Sequence, residues 1–242
     1  MTSDVPTNGA GSDDHAILEE QKAYYRARAG EYDEWFLRTG RYDYGPEFRA
    51  QWDGEVDEVR RRLAEFNPAG RVLDIAAGTG LWTEQLVRYA DEVTALDASA
   101  ETLAINRQRV ASDRVRHVQA DVFDWTPDAA YDVVFFSFWL SHVPPDHFAE
   151  FWGRVRAALA PGGRVFFVDS LRTERSTARD HVLPAEDDPV MVRKLNDGRA
   201  FRIVKVFYEP ARLQRDLADL GWTIEVRATE QFFLHGAGAP SR

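Results

Sequence analysis

From Asp14 to Phe36 the apolar and aromatic residues recur three and four positions apart: Ile17, Leu18, Tyr24, Tyr25, Tyr32, Trp35 and Phe36. That spacing gathers them on one face of a helix. A second helical stretch is predicted from about Gly54 to Phe66, with Val56, Val59, Leu63 and Phe66 on one face and Asn67, Pro68 and Gly70 as the stop. Short apolar runs then alternate with amphipathic stretches. RVLDI (71–75), EVTALD (92–97), RVRHVQA (114–120), YDVVFFSF (131–138) and RVFFVDS (164–170) read as strands. Helices are expected at about Leu81–Tyr89, Ala100–Val110 and 148–160, the last ended by Pro161-Gly162-Gly163. YDVVFFSF is almost wholly apolar, as a parallel strand covered on both faces must be. The alternation predicts an α/β fold with a doubly wound sheet.

The last third departs from simple alternation. VMVRKLNDGRAFRIVKVFY holds two β-rich runs joined by Asn196-Asp197-Gly198, a strong hairpin signal, and predicts an inserted hairpin over 186–208. A final helix is expected at Pro210–Leu220. WTIEVRA (222–228) and EQFFLH (230–235) follow as strands, and their short link requires antiparallel pairing. Residues 1–14, MTSDVPTNGAGSDD, read as a disordered tail. Residues 15–242 then form one domain, with 15–66 as an N-terminal helical cap.

Composition narrows the function classes. The 242 residues are 44% hydrophobic and 29% charged, enough for one sizeable core. A net charge of -10 argues against nucleic acid as partner, since phosphate backbones call for a basic face. The absence of cysteine removes disulfides, thiolate metal sites and a cysteine nucleophile. No apolar run approaches the ~20 residues that cross a bilayer. The N-terminus has no signal-peptide shape, so a cytoplasmic monomer or homodimer without membrane contact is expected.

The candidate chemistry gathers at strand ends. VLDIAAGTG puts a glycine-rich turn after the first strand and before a helix N-terminus, where a ligand can approach backbone N–H groups. Gly78 and Gly80 are the positions at which a side chain would block that approach. A dinucleotide fold would want a third small residue, and Thr83 stands there instead. An ordinary tight turn would account for the glycines but not for Asp74, an acidic residue inside an apolar strand. Asp97, at the end of the second strand, can accept hydrogen bonds from ribose hydroxyls, or cap the next helix, for which Ser99 is the better candidate. Asp121, after the third strand, can accept from an exocyclic amino group.

Taken together, VLDIAAGTG, the three strand-end carboxylates, YDVVFFSFWLSHVPP and LAPGGRVFFVD resemble the class I S-adenosylmethionine-dependent methyltransferases over roughly Gly70 to Ser170. The resemblance implies a seven-stranded Rossmann-like sheet whose last strand is antiparallel, with S-adenosylmethionine as cofactor and S-adenosylhomocysteine as product. It implies Asp97 with Ala98 at the ribose and Asp121 with Val122 at the adenine. The loop from Asp74 through Ala76 and Gly78 to Gly80, with Trp82 behind it, would surround the methionine part. The family often has glycine where Ala76 stands. Tyr25 and Tyr32, seven apart on one helical face, would close over the cofactor, and Phe138 would lie near the methyl group. A narrower resemblance joins YYRARAGEYD, FDWTPD, FWLSHVPPDHF and DGRAFRIVKVF to phosphonate O-methyltransferases of dehydrophos-type biosynthesis, with extra residues around Gly40–Gly54.

On the acceptor side, His142 follows the fourth strand, beside Trp139, and is the candidate base or orienter. Phe201, Ile203, Lys205 and Phe207 share one strand face by period two, so Lys205 sits on an apolar face. Arg193 and Arg202 should come near each other across the hairpin. The resemblance favours Arg193 and Lys205 as ligands of an anionic acceptor, a phosphonate or carboxylate. His15, His117, His147, His181 and His235 show no metal spacing, and no metal is expected. An N- or hydroxyl-directed methyltransferase, a nucleotide-dependent oxidoreductase and a non-catalytic cofactor-binding module are the competing readings.

Overall fold

The apolar runs form strands β1 (Arg71–Ile75), β2 (Glu92–Asp97), β3 (Val115–Gln119), β4 (Tyr131–Ser137) and β5 (Leu159–Ser170), then a separate pair, β6 (Val190–Lys194) and β7 (Ala200–Val204), and finally β8 (Trp222–Ala228) and β9 (Phe233–Pro240). The computed structural model describes residues 10–185 and 188–241, with side chains from residue 15 onward, so residues 1–9 of the expected tail lie outside the described residues. The large sheet has seven strands in the order β3-β2-β1-β4-β5-β9-β8. Strands β1 to β5 pair in parallel, and β9 runs antiparallel to both β5 and β8.

Helices α1 (Ala10–Arg28), α2 (Tyr32–Phe36), α3 (Pro46–Phe66), α4 (Thr83–Leu86), α5 (Ala100–Val110), α6 (Phe148–Ala158) and α7 (Pro210–Asp219) complete the chain. Successive strand side chains point to opposite faces, which gives the sheet two cores. Val72, Val133, Phe135 and Phe166 pack with Trp52, Val56, Val59 and Leu63 of α3. Leu73, Val134, Phe136 and Phe167 pack with Phe151, Trp152 and Val155 of α6 and with Leu213 and Leu217 of α7. No helix among the described residues is long and apolar enough to cross a membrane.

Several boundaries differ from the sequence expectations. Helix α1 starts at Ala10, so residues 10–14 are helical rather than part of a tail. Helix α3 starts at Pro46, eight residues before the expected Gly54, because proline suits a first helical turn and Gly45 enters it at φ 96°. The helix expected over Leu81–Tyr89 is the single turn α4, with turns on either side. Strand β9 runs on to Pro240, along the full length of β8. The hairpin is inserted as expected, but β7 ends at Val204, leaving Lys205 and Phe207 just beyond the strand.

Candidate active site

The strand order reverses between β1 and β4, and a cavity of about 1000 Å³ opens at the carboxyl ends there. Of the residues expected at the cofactor, Tyr25, Tyr32, Ala76, Gly78, Asp97, Ala98, Asp121, Val122 and Phe138 line it, together with Trp139 and His142. Ala76 and Gly78 both have left-handed backbones, at φ 52° and 54°. Such a backbone explains why glycine suits these positions and makes Ala76 a strained exception.

Three expected residues stand back from this cavity. Asp74 is buried inside β1, and its Oδ2 accepts the Thr83 hydroxyl at 2.6 Å, tying α4 to the strand. Burial pushes its carboxyl up to about 7, against that hydrogen bond, with the nearby Asp97 adding to the rise. Gly80 serves packing rather than a ligand, since a Cβ there would lie 2.9 Å from Cγ of Asn106. Trp82 is in the core and faces only a small hollow shared with Ala76 and Gly78.

The two strand-end carboxylates also organise the protein. Asp97 Oδ2 accepts the Gly78 N–H at 2.9 Å, and its Oδ1 accepts Ser99 N–H at 2.8 Å and the Thr102 hydroxyl at 3.0 Å. Burial raises its pKa, while these donors oppose the rise. Ser99 caps α5, as its sequence position suggested. Asp121 accepts Phe123 N–H at 2.9 Å, and Lys22 of α1 reaches its other oxygen at 2.6 Å, across the mouth of the cavity.

A second cavity, of about 470 Å³, shares Tyr25, Tyr32, Phe138 and His142 with the first, so these side chains form the partition between them. Its polar lining includes Arg28, Arg193 and Lys205. Phe138 takes a left-handed φ of 52° and stands edge-on to Trp35, 4.7 Å between ring centroids. His142 Nδ1 is 2.6 Å from the Val204 carbonyl and therefore carries the proton it donates there. Its Nε2 then accepts the Tyr25 hydroxyl at 2.7 Å. Burial first, then Lys205, Arg193 and Arg28, hold its pKa well below the usual histidine range, so the ring is neutral.

Lys205 donates to Ser141 Oγ at 2.7 Å and lies 3.6 Å from Oδ1 of Asp169. Burial pulls its pKa down to about 8, against the pull of Asp169. Arg193 donates to Thr177 Oγ1 at 2.9 Å. Arg202 does not join it. Register pairs Arg193 with Phe201 and Val192 with Arg202, so the two arginines leave opposite faces of the hairpin. Arg202 is exposed and pairs with Glu20. Helix α1 and the hairpin are bolted together: Gln21 donates to the His142 carbonyl at 3.1 Å and accepts Val204 N–H at 2.9 Å. Asp33 accepts from Thr79 at 2.6 Å and pairs with Arg109, fastening α2 to the glycine turn. Among the described residues no group of three His, Cys, Asp or Glu side chains is set to hold a metal.

Sequence reasoning missed Arg28, Asp169 and Gln21. Asp169 carried a readable signal, an acidic residue at the end of an apolar strand, like Asp74 and Asp97. Arg28 also carried one, since it lies four residues after Tyr24 and four before Tyr32 on the aromatic face of the first helix.

The family of methyltransferase domains matches residues 72–163. The structure of DhpI, the dehydrophos methyltransferase, with SAH superposes with a TM-score of 0.78 at 43% identity, covering 94% of this chain and 98% of that one. A DhpI–SAM–HEP complex superposes equally well, over 93% and 99% of the two chains. A curated relative is the ubiquinone biosynthesis O-methyltransferase of Klebsiella pneumoniae, 31% identical over 169 residues, 68% of this chain and 64% of the relative. The chain spans just under two thirds of the length of the curated relatives it matches. Identity of 43% along nearly the whole of two chains that superpose is a mark of shared descent, and the chain belongs to the class I S-adenosylmethionine-dependent methyltransferases.

Proposed function

We propose that the chain transfers a methyl group from S-adenosylmethionine to an oxygen of a small anionic acceptor, a phosphonate or a carboxylate. The observation that carries this reading is the set of buried cations, Arg193 and Lys205 among them, around the second cavity, one aromatic partition away from the first. The first cavity suits the cofactor. A Cβ on Gly78 would meet nothing closer than 3.9 Å, so the room in front of this left-handed residue is free for a ligand. Ala76 and Gly78 would flank the methionine part, Asp97 and Ala98 the ribose, and Asp121 and Val122 the adenine. Tyr25 and Tyr32 would cover it.

When bound, the cofactor supplies an activated sulfonium methyl: an acceptor lone pair forms the new O–C bond while the C–S electron pair returns to sulfur, leaving S-adenosylhomocysteine. An anionic oxygen has no proton to lose, so the protein's part is to orient the acceptor and exclude water. Arg193 and Lys205 do the first, and the aromatic partition does the second. His142 is then an orienter rather than a base. Its only lone pair is already taken by Tyr25, and its buried ring resists protonation. The 43% identity to DhpI supports an oxygen acceptor of this kind, and the net charge of -10 supports a small molecule over nucleic acid.

The test is transfer of labelled methyl from S-adenosylmethionine to methylphosphonate, propionate, a catechol and an amine. Methyl esters of the anions are expected. Transfer to the catechol or amine alone would overturn the reading. Binding of S-adenosylhomocysteine with no transfer at all would favour a non-catalytic module.

A further inference from the structure

Arg28 ends helix α1 and is 6% exposed, yet no carboxylate among the described residues comes within ion-pair distance of it. Its guanidinium stands over the rings of Tyr32, Tyr24 and Tyr42, at 5.0, 5.5 and 6.0 Å from their centroids. Its one hydrogen bond is long, 3.4 Å to the Tyr42 hydroxyl. A guanidinium has five donors and does not lose its proton in proteins, so this group is a charge held out of water with most of its donors unspent. Arg193, 8% exposed, is in the same condition: its hydroxyl partner is neutral, and its buried Nε has no partner. Both side chains line the second cavity with Lys205. Lys205 alone has a carboxylate in range, Asp169, and it is 4% exposed. Among the described residues, three positive charges against one negative leave the cavity with two in excess. The same field reaches His181, which burial first and then Arg193, Arg41 and Arg28 push down to about 3.

We propose that Arg28 is the third cation of the acceptor site, and that the site is matched to a doubly charged tetrahedral head group. It therefore prefers an unesterified phosphonate or phosphate monoester to the singly charged methyl ester and to a carboxylate. The proposal rests on the anionic-acceptor reading above and adds the charge of the acceptor and the residue that sets it. The physical basis is balance. A dianion cancels the excess, whereas a monoanion leaves one buried cation without a partner. Methylation removes one charge from the acceptor, so the product is the mismatched species. The cavity thereby favours release after a single methylation.

Calorimetry on the full chain loaded with S-adenosylhomocysteine tests this without turnover. The probes are ethylphosphonate, its monomethyl ester and propionate, at about pH 7.5, where Lys205, with its pKa of about 8, keeps its charge and the ethylphosphonate dianion is populated. Wild type should bind ethylphosphonate about tenfold or more tightly than either monoanion, as one charge-assisted hydrogen bond suffices to give. Arg28→Gln should lose about that factor for ethylphosphonate, change propionate by less than about threefold, and leave S-adenosylhomocysteine affinity intact. Arg28→Lys, which keeps the charge, should recover most of the preference. Equal wild-type affinity for dianion and ester overturns the charge match while leaving the anionic-acceptor reading standing. A uniform loss for all three anions in Arg28→Gln overturns the assignment to Arg28. Wild type that binds none of the three overturns the anionic-acceptor reading and this inference with it. If Arg28→Gln does not fold, the wild-type series and Arg28→Lys decide the matter alone.

Discussion

Lys205→Met removes an ammonium from the second cavity, the proposed acceptor site, while keeping most of its buried stem. Two opposing effects set the result. The ion pair with Asp169 at 3.6 Å is worth about 5 kcal/mol before desolvation, at an effective dielectric constant of about 20. Against it, burial and the neighbouring arginines bring the lysine pKa from its ordinary 10.5 down to about 8. That difference means the charged form is disfavoured by roughly 3 kcal/mol on folding, even with Asp169 in place. Asp169 itself keeps two backbone donors, Ser141 at 2.9 Å and Ser170 at 2.7 Å, after the lysine is gone. The variant should therefore stay within about 2 kcal/mol of wild-type stability, instead of losing the ~3–5 kcal/mol typical of a broken buried pair. Acceptor affinity, by contrast, should fall at least about tenfold, with S-adenosylhomocysteine affinity unchanged. The unfolded chain holds more protons than the folded one between about pH 8 and 10.5, so wild-type stability should rise with pH across that window, and the variant should lose this rise. Urea unfolding at pH 7 and 10, with calorimetry for both ligands, measures all of this. A loss above about 4 kcal/mol with acceptor binding intact would make Lys205 structural and refute the reasoning.

Other outcomes follow from the same geometry. Asp97→Ala should weaken S-adenosylhomocysteine by about ten- to a hundredfold, because it removes charged acceptors from the cofactor cavity, and should leave acceptor binding near normal when the cofactor is saturating; calorimetry reads both. Asp74→Asn should stabilise the protein by about 2–4 kcal/mol at pH 8 and by nearly nothing at pH 4. The wild-type carboxyl, raised to about 7, keeps its proton in the folded state between about pH 4 and 7 while the unfolded chain has lost it, so stability falls as pH rises across that window; denaturation at the two pH values checks it. Tyr25→Phe removes the hydroxyl that His142 accepts, and should let the His142 ring titrate at a changed pKa by nuclear magnetic resonance.

Residues whose positions follow from strand ends were legible. Asp97 and Asp121 fall at the ends of apolar runs, and the reversal between β1 and β4 brings those ends together. Period two placed Arg193 opposite Phe201 on one face of the hairpin with Ile203, whereas Lys205 is buried just beyond the end of β7. At Gly80 the sequence could not show that the neighbour a side chain would meet is Asn106. Arg202 was drawn toward Arg193 by counting residues from the turn, but the one-residue offset in register sends it to the other face. Arg28 lies on an aromatic helical face, a setting that a snorkelling side chain shares. Only the tertiary fold closes Tyr42 and the hairpin around it.

The two cavities are built by different parts of the chain, and this has a consequence for specificity. The first cavity, the proposed cofactor site, is made largely by sheet ends and the turns leaving them, whose positions are fixed by the two cores. The second cavity, the proposed acceptor site, is made by additions to that sheet: α1 supplies Arg28 and Tyr25, the hairpin Arg193, and the segment just beyond it Lys205. These additions are not anchored by the sheet alone. Gln21 bridges the His142 carbonyl and Val204 N–H, His142 bridges Val204 and Tyr25, and Asn196 bonds to Glu31 and Glu34. Each of these links joins segments more than 60 residues apart. Substituting a cation inside the acceptor cavity should thus change which anion binds, whereas breaking Gln21 or His142 should loosen the whole acceptor wall and weaken every acceptor alike.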